Sequence, residues 1–249
     1  MIATEPATAK PAYYDDLYLK LARRKADDID GVLAFAGRRP SGRVLDLGGG
    51  FGRLARVLAR AGHDVTVVDR EQAMLSAGAR DARLDDEAIA ARIAWLHADI
   101  ARPLDDLPLN WYALAICAHH TINELCESEQ LNQLFANLRA HLETDGIALI
   151  DAIADVPYPR LDVVEWLDAF ADSERTSWIV TTVATETAPR RHRLLFFYEQ
   201  YEDGRMSERF VRSLERRVWT SDEIAAAAAG AGFVAAEPRD GAPFTFVKT

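Results

Sequence analysis

Short apolar runs alternate along the chain with longer segments in which apolar residues recur every three or four positions. Runs of the first kind predict buried strands, and segments of the second kind predict amphipathic helices that pack on them. The strands predicted within the first 151 residues lie at 43–47, 64–69, 93–97, 112–117 and 147–151. The helices predicted between them lie at 52–61, 71–91 and 128–142. Alternating strands and helices indicate an α/β fold with a parallel sheet.

The helix predicted at 128–142 has the clearest periodicity, with Ser128 as its cap and Gly146 as its terminator. Near the C-terminus, the run from Thr220 to Glu223 predicts a capping box that opens a helix over 224–231. Two more apolar runs complete the predicted sheet, at 233–235 and 244–247.

The pattern changes between residues 152 and 219, where strict apolar–polar alternation replaces the alternation of strands and helices. A short helix is predicted at 163–170. Three period-two runs follow it, with turn residues between them, at 178–183, 193–201 and 206–219. Short turns between such runs indicate an antiparallel meander, inserted after the fifth strand. We interpret this insertion as a cover over a ligand or as a homodimer surface.

A glycine-rich turn follows the first predicted strand and precedes a helix, with the spacing Asp46, Gly48, Gly50, Gly52. Glycine lets a backbone turn sharply and press against a ligand, and the following helix N-terminus offers free N–H groups. The dinucleotide-binding fingerprint requires glycine at position 53, where this chain has Arg53. The spacing D-x-G-x-G-x-G instead resembles the first motif of class I S-adenosylmethionine (SAM) dependent methyltransferases.

The resemblance extends over about residues 40 to 249, including the segment from Trp219 to Phe233, and is to the small-molecule, natural-product branch of this family. It implies a Rossmann-like, seven-stranded, mostly parallel sheet with helices on both faces. The domains expected are an N-terminal helical lid, a SAM-binding core, the antiparallel β insertion, and a C-terminal part that completes the core, at 1–38, 39–151, 152–219 and 220–249. The implied cofactor is SAM, with S-adenosylhomocysteine (SAH) as its product.

Acidic residues at the tips of the second and third strands fit this cofactor. Asp69 lies 21 residues after Gly48, where a carboxylate accepts both ribose hydroxyls of a nucleoside. Asp99 resembles the adenine-binding position of the family, and Ile100 offers its backbone N–H to the ring. Arg70 and Met74 are candidates for flanking the adenine, although Met74 could equally be core filler. The full set of predicted cofactor residues is Asp46, Gly48, Gly49, Gly50, Gly52, Asp69, Arg70, Met74, Asp99, Ile100 and Cys117.

The fourth predicted strand ends in the most chemically suggestive stretch of the chain, from Cys117 through His119 and His120 to Asn123. Ligands of open α/β sheets bind beyond the carboxyl ends of the strands, so this stretch should lie beside the transferable methyl group. Histidine suits removal of a proton from an acceptor near neutral pH. We expect one of the two histidines, with His120 favoured, to act as base, and Asn123 to orient the acceptor. The alternative is that both histidines only make hydrogen bonds in the loop.

Aromatic residues outside the predicted core are further candidates. Tyr14 and Tyr18 belong to an N-terminal segment that resembles the lid of small-molecule methyltransferases, and Tyr14 could take part in catalysis. Trp178 and Phe197, from the insertion, could supply walls for the acceptor. The alternatives are that the tyrosines pack on the domain, and that the insertion's aromatic residues divide between core and interface.

Composition limits the classes of molecule that this protein is expected to bind. The formal charge of −10 argues against a nucleic-acid footprint, and no apolar run is long enough for a membrane span. Two cysteines without a CxxC motif suggest a reducing compartment, and the N-terminus lacks signal-peptide features, so we expect a cytoplasmic protein. The adjacent histidines lack the spacing of a helical ligand pair, so we expect no metal.

We therefore expect a SAM-dependent, metal-independent methyltransferase of secondary metabolism. The acceptor would be a nitrogen, an oxygen or an activated carbon of a small molecule, such as an amine or an aromatic ring. Two alternatives remain open from the residues: a nucleotide-dependent oxidoreductase on a similar fold, which Arg53 disfavours, and a non-catalytic partner subunit that uses the pocket only to stabilise a complex.

Overall fold

The structure is a computed structural model that describes residues 42–155, 164–171, 173–236 and 244–249. The predicted N-terminal lid lies outside the described residues. The chain divides into two compact units. The core unit contains the described residues up to Ile153 and those from Thr220 onward, and the antiparallel unit contains the described residues from Ala154 to Trp219.

The elements of the core unit follow the predicted alternation. Its strands are β1 (Arg43–Leu47), β2 (Asp64–Asp69), β3 (Ile93–His97), β4 (Tyr112–Cys117), β5 (Leu142–Ile150), β10 (Phe233–Ala236) and β11 (Phe244–Lys248). Its α-helices are α1 (Arg53–Arg60), α2 (Gln72–Asp85), α3 (Glu87–Ala90), α4 (Ser128–His141) and α5 (Ser221–Gly230). A short 3₁₀ helix (Thr121–Glu124) follows β4.

These strands form one seven-stranded sheet in the order β10-β11-β5-β4-β1-β2-β3. The pairs from β5 to β3 are parallel, and β11 joins β5 and β10 in antiparallel register. This sheet confirms the predicted Rossmann-like fold class. The carboxyl ends of β3, β2, β1, β4 and β5 therefore lie side by side in that order, which is where ligands of such sheets bind.

The core is built from the strand residues and from one stripe of each helix. In β1, Val44, Leu45 and Leu47 are buried, as expected for a strand that is covered on both faces. Helix α1 packs Leu54 and Leu58 against the sheet through the same cluster of buried apolar side chains that includes Val44. Burial of these side chains holds the glycine-rich turn between two fixed elements.

Three details of the helices differ from the predictions. The segment predicted as one helix at 71–91 breaks at Asp86, whose side chain accepts a hydrogen bond from the backbone N–H of Ala88 and caps α3. Helix α4 is capped by Glu127 through a capping box with Gln130, so the cap predicted at Ser128 is wrong. It ends at His141, because the chain continues directly into β5, and so Gly146 does not terminate it.

The antiparallel unit is a sheet of four strands in sequential order: β6 (Val164–Ala171), β7 (Thr176–Ala188), β8 (Arg191–Glu202) and β9 (Arg205–Arg217). The helix predicted at 163–170 is wrong, because this segment pairs with β7 as a strand. Its apolar residues also fit helical spacing, but pairing with a long neighbouring strand decides its structure. The three predicted period-two runs correspond to β7, β8 and β9.

Across the part of the chain that the structure describes, no helix combines the length and the apolar character needed to cross a membrane.

Candidate functional site

The glycine-rich turn after β1 is hydrogen-bonded to the end of β2. The backbone N–H groups of Gly48 and Gly49 donate to the carbonyl of Val68, at 2.8 and 3.3 Å. Gly50 has φ +57°, a left-handed conformation in which side chains other than hydrogen are strained. The turn thus reverses the chain tightly between the buried strand β1 and the first turn of α1.

The glycines of this turn serve different purposes. A Cβ atom added to Gly48 would lie 2.3 Å from Cγ2 of Thr121, and one added to Gly52 would lie 2.4 Å from Cη2 of Trp95. At those two positions glycine allows close packing of protein side chains. A Cβ atom added to Gly50 would approach nothing closer than 3.6 Å, the distance to Cε of Met74. Gly50 is therefore the glycine beside which a ligand finds space.

Asp69 stands at the tip of β2, next to Gly50. Its Oδ2 accepts the backbone N–H of Gly50 at 2.8 Å, and its Oδ1 accepts the backbone N–H of Glu71 at 2.8 Å. Burial raises the pKa of Asp69 above its ordinary 3.8, and the two N–H donors and Arg70 only partly oppose this rise. The carboxylate is thus fixed in direction and has unused lone pairs on both oxygens.

The loop after β3 carries Asp99 and Ile100, two residues predicted to bind the cofactor. Oδ1 of Asp99 accepts the backbone N–H of Ala101 at 2.9 Å, which makes a tight turn. The side-chain amide of Asn137, in α4, donates to the carbonyls of Ile100 and Arg102 at 3.0 and 2.8 Å. Asn137 is a positioning residue that the sequence analysis missed, and an asparagine inside the apolar pattern of a helix was its one sequence signal.

Met74 lies in the first turn of α2, and Arg70 follows the end of β2. Met74 is buried and packs with Phe51 and Ala77. It therefore makes the contacts expected of core filler, which was the alternative interpretation of Met74. It also faces the open space beside Gly50. The guanidinium group of Arg70 pairs with the carboxylate of Glu124 at 2.8 Å. This ion pair joins the loop after β2 to the 3₁₀ helix after β4, with the end of β1 between them in the sheet.

The histidines after β4 adopt an unusual backbone conformation. His119 and His120 have φ of 54° and 61°, two consecutive left-handed residues, and their rings stack with centroids 5.8 Å apart. His119 is exposed and His120 is half-buried. Nδ1 of His120 lies 3.3 Å from Oδ1 of Asp151, at the end of β5. Left-handed backbone outside glycine is costly and is concentrated at functional sites.

Asp151 is the second site residue whose role the sequence analysis missed. Burial pushes its pKa upward, but the nearby imidazoles of His120 and His119 outweigh burial, so its pKa lies below the ordinary 3.8. The sequence placed Asp151 at the end of the fifth strand. It contained no signal that this carboxylate contacts the histidine loop, 31 positions earlier in the chain.

Asn123 and Cys117 are both fully buried. The side-chain amide of Asn123 donates to the carbonyl of Ile153 and accepts its backbone N–H, both at 2.9 Å. The amide thus binds the chain after β5 through both its nitrogen and its oxygen. Burial, followed by the charges of nearby carboxylates such as Asp46, raises the pKa of Cys117, so its thiol is neutral.

The remaining predicted residues lie outside the core unit or outside the described chain. Trp178 and Phe197 lie on opposite faces of the antiparallel sheet, since Phe197 pairs with Thr181 and side chains alternate along β7. They therefore cannot both line one acceptor. Trp178 is buried beside Phe210. Tyr14 and Tyr18 lie outside the described residues.

The structure thus gathers most of the predicted site at one edge of the parallel sheet. In sheet order, the edge presents the Asp99 loop, Asp69, the glycine turn, the histidine loop and Asp151. It offers a carboxylate for hydroxyl groups, space over a glycine, and a histidine beside a carboxylate. In the residues described, no group of three or more His, Cys, Asp and Glu side chains could hold a metal ion.

Comparison with known proteins agrees with this architecture. The family model for a methyltransferase domain matches residues 44–146, from β1 into β5. This range contains the glycine turn, Asp69, Asp99 and both histidines. A comparison with curated proteins gave no significant match.

Solved structures resemble the chain over nearly its whole length. A sugar N-methyltransferase from Streptoalloteichus sp. has a TM-score of 0.74 at 16% identity, covering 100% of this chain and 99% of that one. An amino pentose methyltransferase of calicheamicin biosynthesis from Micromonospora echinaspora, solved with SAM bound, has a TM-score of 0.70 at 18% identity, covering 99% and 100%. A SAM-dependent methyltransferase from Clostridium acetobutylicum has a TM-score of 0.70 at 19% identity, covering 94% and 97%.

Proposed function

Residues 44–146 of this chain match a methyltransferase domain, and the whole chain has the fold of SAM-dependent small-molecule methyltransferases; from this premise we propose that it methylates the amino group of a small molecule, an amino sugar in the first instance. Two of the similar structures are a sugar N-methyltransferase and an amino pentose methyltransferase, which is the reason for beginning with amino sugars.

The observation that carries the cofactor assignment is the setting of Asp69. Each of its carboxylate oxygens accepts one backbone N–H group, so each retains a lone pair for one hydroxyl of a ribose. The open space above Gly50 lies beside this carboxylate, and Met74 borders it. In this arrangement Asp69 would hold the ribose, the Asp99 loop would meet the adenine, and the backbone of the glycine turn would meet the methionine part.

The chemistry at the other side of the glycine turn fits an amine. Bound SAM would supply a methyl group on a positively charged sulfur, ready for transfer to an aligned lone pair. A protonated amine has no lone pair until a base removes one proton. We assign this role to His120, because it is half-buried and contacts the carboxylate of Asp151, whereas His119 is exposed.

The charge of the site supports a cationic acceptor. Asp46, Asp69, Asp99 and Asp151 all belong to strand ends or loops at the same edge of the sheet, whereas the charge of Glu124 is paired with that of Arg70. Clustered carboxylates raise the local concentration of cations such as ammonium groups. A neutral hydroxyl group would gain nothing from this field, which favours nitrogen over oxygen as the methylated atom.

The parts of the chain outside the core unit receive the remaining roles. We assign the segment at 1–38, with Tyr14 and Tyr18, to a lid, and the insertion at 152–219 to acceptor recognition or to a homodimer surface.

Asn123 is assigned to holding the loop, because its amide is occupied by the backbone of Ile153. A place in secondary metabolism is proposed with the amino sugar acceptor, since the amino pentose methyltransferase belongs to such a biosynthesis.

The test combines binding and turnover. Isothermal titration calorimetry with SAH should show one site, and Gly50→Arg should abolish binding, because a side chain there would fill the open space beside Asp69. Methyl-labelled SAM should then transfer label to amino sugars, but not to the matched sugars with hydroxyl in place of the amine.

Each rival predicts a different result. Absence of SAH binding, together with a change in NADH fluorescence on mixing, would favour the oxidoreductase. Binding of SAH without label transfer to any acceptor, including those of a cell extract, would favour a non-catalytic partner subunit. Transfer to hydroxyl sugars at an equal rate would overturn the assignment of nitrogen as the methylated atom.

A further inference from the structure

We propose that Asp151 and Asn123 act together as positioning residues, which hold His120 with its proton on Nδ1 and leave Nε2 free to accept a proton from the methyl acceptor. The catalytic meaning of this inference rests on the proposed function. The geometry itself involves only residues of the core unit, and a test that requires no methyl acceptor can therefore examine it.

The contact between His120 and Asp151 sets the direction of the imidazole ring. Nδ1 of His120 is shielded from solvent and makes no hydrogen bond among the described residues, and Oδ1 of Asp151 lies within ion-pair distance of it, at 3.3 Å. A carboxylate accepts hydrogen bonds and cannot donate them when ionised, so its approach to Nδ1 favours the tautomer that carries the proton there. Nε2 of the neutral ring then bears the lone pair.

Asn123 ties the two loops of this contact to each other. Its amide makes two hydrogen bonds of 2.9 Å to the backbone of Ile153, two residues after Asp151. Its own backbone N–H donates to the carbonyl of His120 at 2.9 Å. Because the amide is 1% exposed, water cannot replace these bonds. The loop after β4 and the chain after β5 are thereby held at a fixed separation.

The backbone on either side supports the same arrangement. Asp151 is anchored to β4 through its N–H, which donates to the carbonyl of Cys117 at 2.9 Å. The turn that carries the histidines is closed by the N–H of Thr121, which donates to the carbonyl of Ala118 at 3.2 Å. The left-handed conformation of both histidines is costly, and it is maintained by these bonds around it.

Other ionisable groups near the contact do not replace Asp151. His119 stacks on His120, and the charges of Asp46 and Glu124 act on the neighbouring thiol of Cys117, which is neutral. Of these groups only Asp151 is within ion-pair distance of His120 among the described residues. The surrounding carboxylates favour positive charge on the ring after it accepts a proton, and the tautomer depends on Asp151.

This geometry serves the exchange of a proton for a methyl group on the acceptor nitrogen. The acceptor ammonium group gives one proton to Nε2 of His120, and its nitrogen keeps the electron pair of that N–H bond. This pair forms the new bond to the methyl carbon, while the electrons of the methyl–sulfur bond remain on sulfur. The products are the N-methylammonium ion, SAH and an imidazolium ring, which Asp151 stabilises until the proton passes to solvent.

The test measures the tautomer directly. The full chain is labelled with ¹⁵N-histidine, and the ring nitrogens of His120 are assigned by the loss of their signals in His120→Gln. In the wild-type protein, the single proton of the neutral His120 ring should reside on Nδ1. In Asp151→Ala the proton should redistribute largely to Nε2. Asn123→Ala should give a mixture, because the two loops separate. Matched controls are Asp105→Ala, in the exposed loop before β4, and exposed Asn132→Ala in α4.

Turnover then provides a second readout, once an acceptor is identified. Asp151→Ala should lower kcat about 10- to 100-fold, the range of general-base contributions, with unchanged SAH affinity. The proposal is overturned if wild-type His120 carries its proton on Nε2, or if Asp151→Ala leaves the tautomer unchanged. This arm decides the matter even if Asn123→Ala fails to fold, since Asp151 is partly exposed. Failure of SAH binding would instead count against the proposed function.

Discussion

Asp69 has to satisfy two opposing requirements. In the proposed ribose site its carboxylate would have to be ionised to accept two hydroxyl groups, yet burial raises its pKa above 3.8. The N–H groups of Gly50 and Glu71 reduce the energetic cost of the charge but do not cancel it. Because the folded-state pKa is raised, the charged residue lowers stability as the pH rises through it. A bound ribose would supply the hydrogen bonds that the solvent no longer provides.

We therefore expect SAH affinity to depend on pH through Asp69. Hydroxyl groups bind the ionised carboxylate better, so affinity should rise as the pH increases through the raised pKa. Asp69→Asn should bind SAH about 10- to 100-fold more weakly at neutral pH, since a hydrogen bond to a charged group contributes about 1.5–3 kcal/mol. Its affinity should also vary less with pH in the range above 3.8, the ordinary pKa above which the pKa of Asp69 is raised. Calorimetry across this range measures both effects.

The matched control is Asp105→Asn, an exposed aspartate in the loop before β4. It should retain both wild-type affinity and the wild-type dependence on pH. Equal pH dependence in Asp69→Asn and in the wild-type protein would show that another group controls binding, and would remove Asp69 from the ribose site.

At the scale of elements, the loops of the site are held by residues that belong to other elements. Asn137 reaches from α4 to the loop after β3, and Asn123 reaches from the 3₁₀ helix to the chain after β5. Trp95, from β3, packs against Gly52 at the start of α1. Buried side chains that bind backbone carbonyls restrict loops more strongly than the loops could restrict themselves.

Asn137→Ala tests this restraint. The substitution leaves the carbonyls of Ile100 and Arg102 without their donor, at a cost of about 1–3 kcal/mol for a buried unsatisfied group. We expect a lower unfolding midpoint and about tenfold weaker SAH binding. The reason is that the loop after β3, which we propose meets the adenine, would no longer be preformed. Asn132→Ala is the control, since it makes the same change on the exposed face of α4. A destabilised variant with unchanged SAH affinity would show that this loop does not contact the cofactor.

The sequence predicted the elements best where local pattern and tertiary packing agree. Strands β2, β3 and β4 have the predicted bounds, because each is a short apolar run between polar breaks. The segment at 163–170 fits helical spacing as well, and only pairing with β7 makes it a strand. Pairing of this kind depends on distant residues and is not visible in a window of sequence.

The candidate site divides in the same way. The places of Asp69 and Asp99 could be predicted because Asp69 ends one strand and Asp99 lies two residues after the next, and chain order alone places such residues at one edge of the sheet. The contact of His120 with Asp151 and the reach of Asn137 could not. They depend on how loops from different parts of the chain fold over one another, and asparagine or aspartate in a sequence does not disclose its partner.

At the scale of the whole molecule, every residue assigned to SAM lies in the core unit. The methyltransferase-domain match ends at residue 146, before the antiparallel unit begins. The antiparallel unit contains four long strands and its own buried residues, including Trp178, Val180 and Tyr198. A unit outside the matched domain is suited to recognising the acceptor independently of the cofactor.

Hydrogen exchange followed by mass spectrometry tests this division of labour on the full chain. Saturation with SAH should slow exchange at the glycine turn, after β2, and in the loops after β3 and β4, because ligand binding suppresses their local opening. Amides in β7, β8 and β9 should exchange at the same rate with and without SAH. Addition of an accepted amine should then slow exchange in the antiparallel unit.

The unfolding temperature supplies an independent measure of the same binding. At a ligand concentration of about 100 times Kd, SAH should stabilise the folded chain by about 2.7 kcal/mol. For a chain of this length that corresponds to an increase in unfolding temperature of roughly 5–10 °C. Gly50→Arg should show no increase. If SAH protected β7 to β9 as strongly as the glycine turn, the cofactor would also engage the antiparallel unit, and the assignment of that unit to the acceptor alone would be wrong.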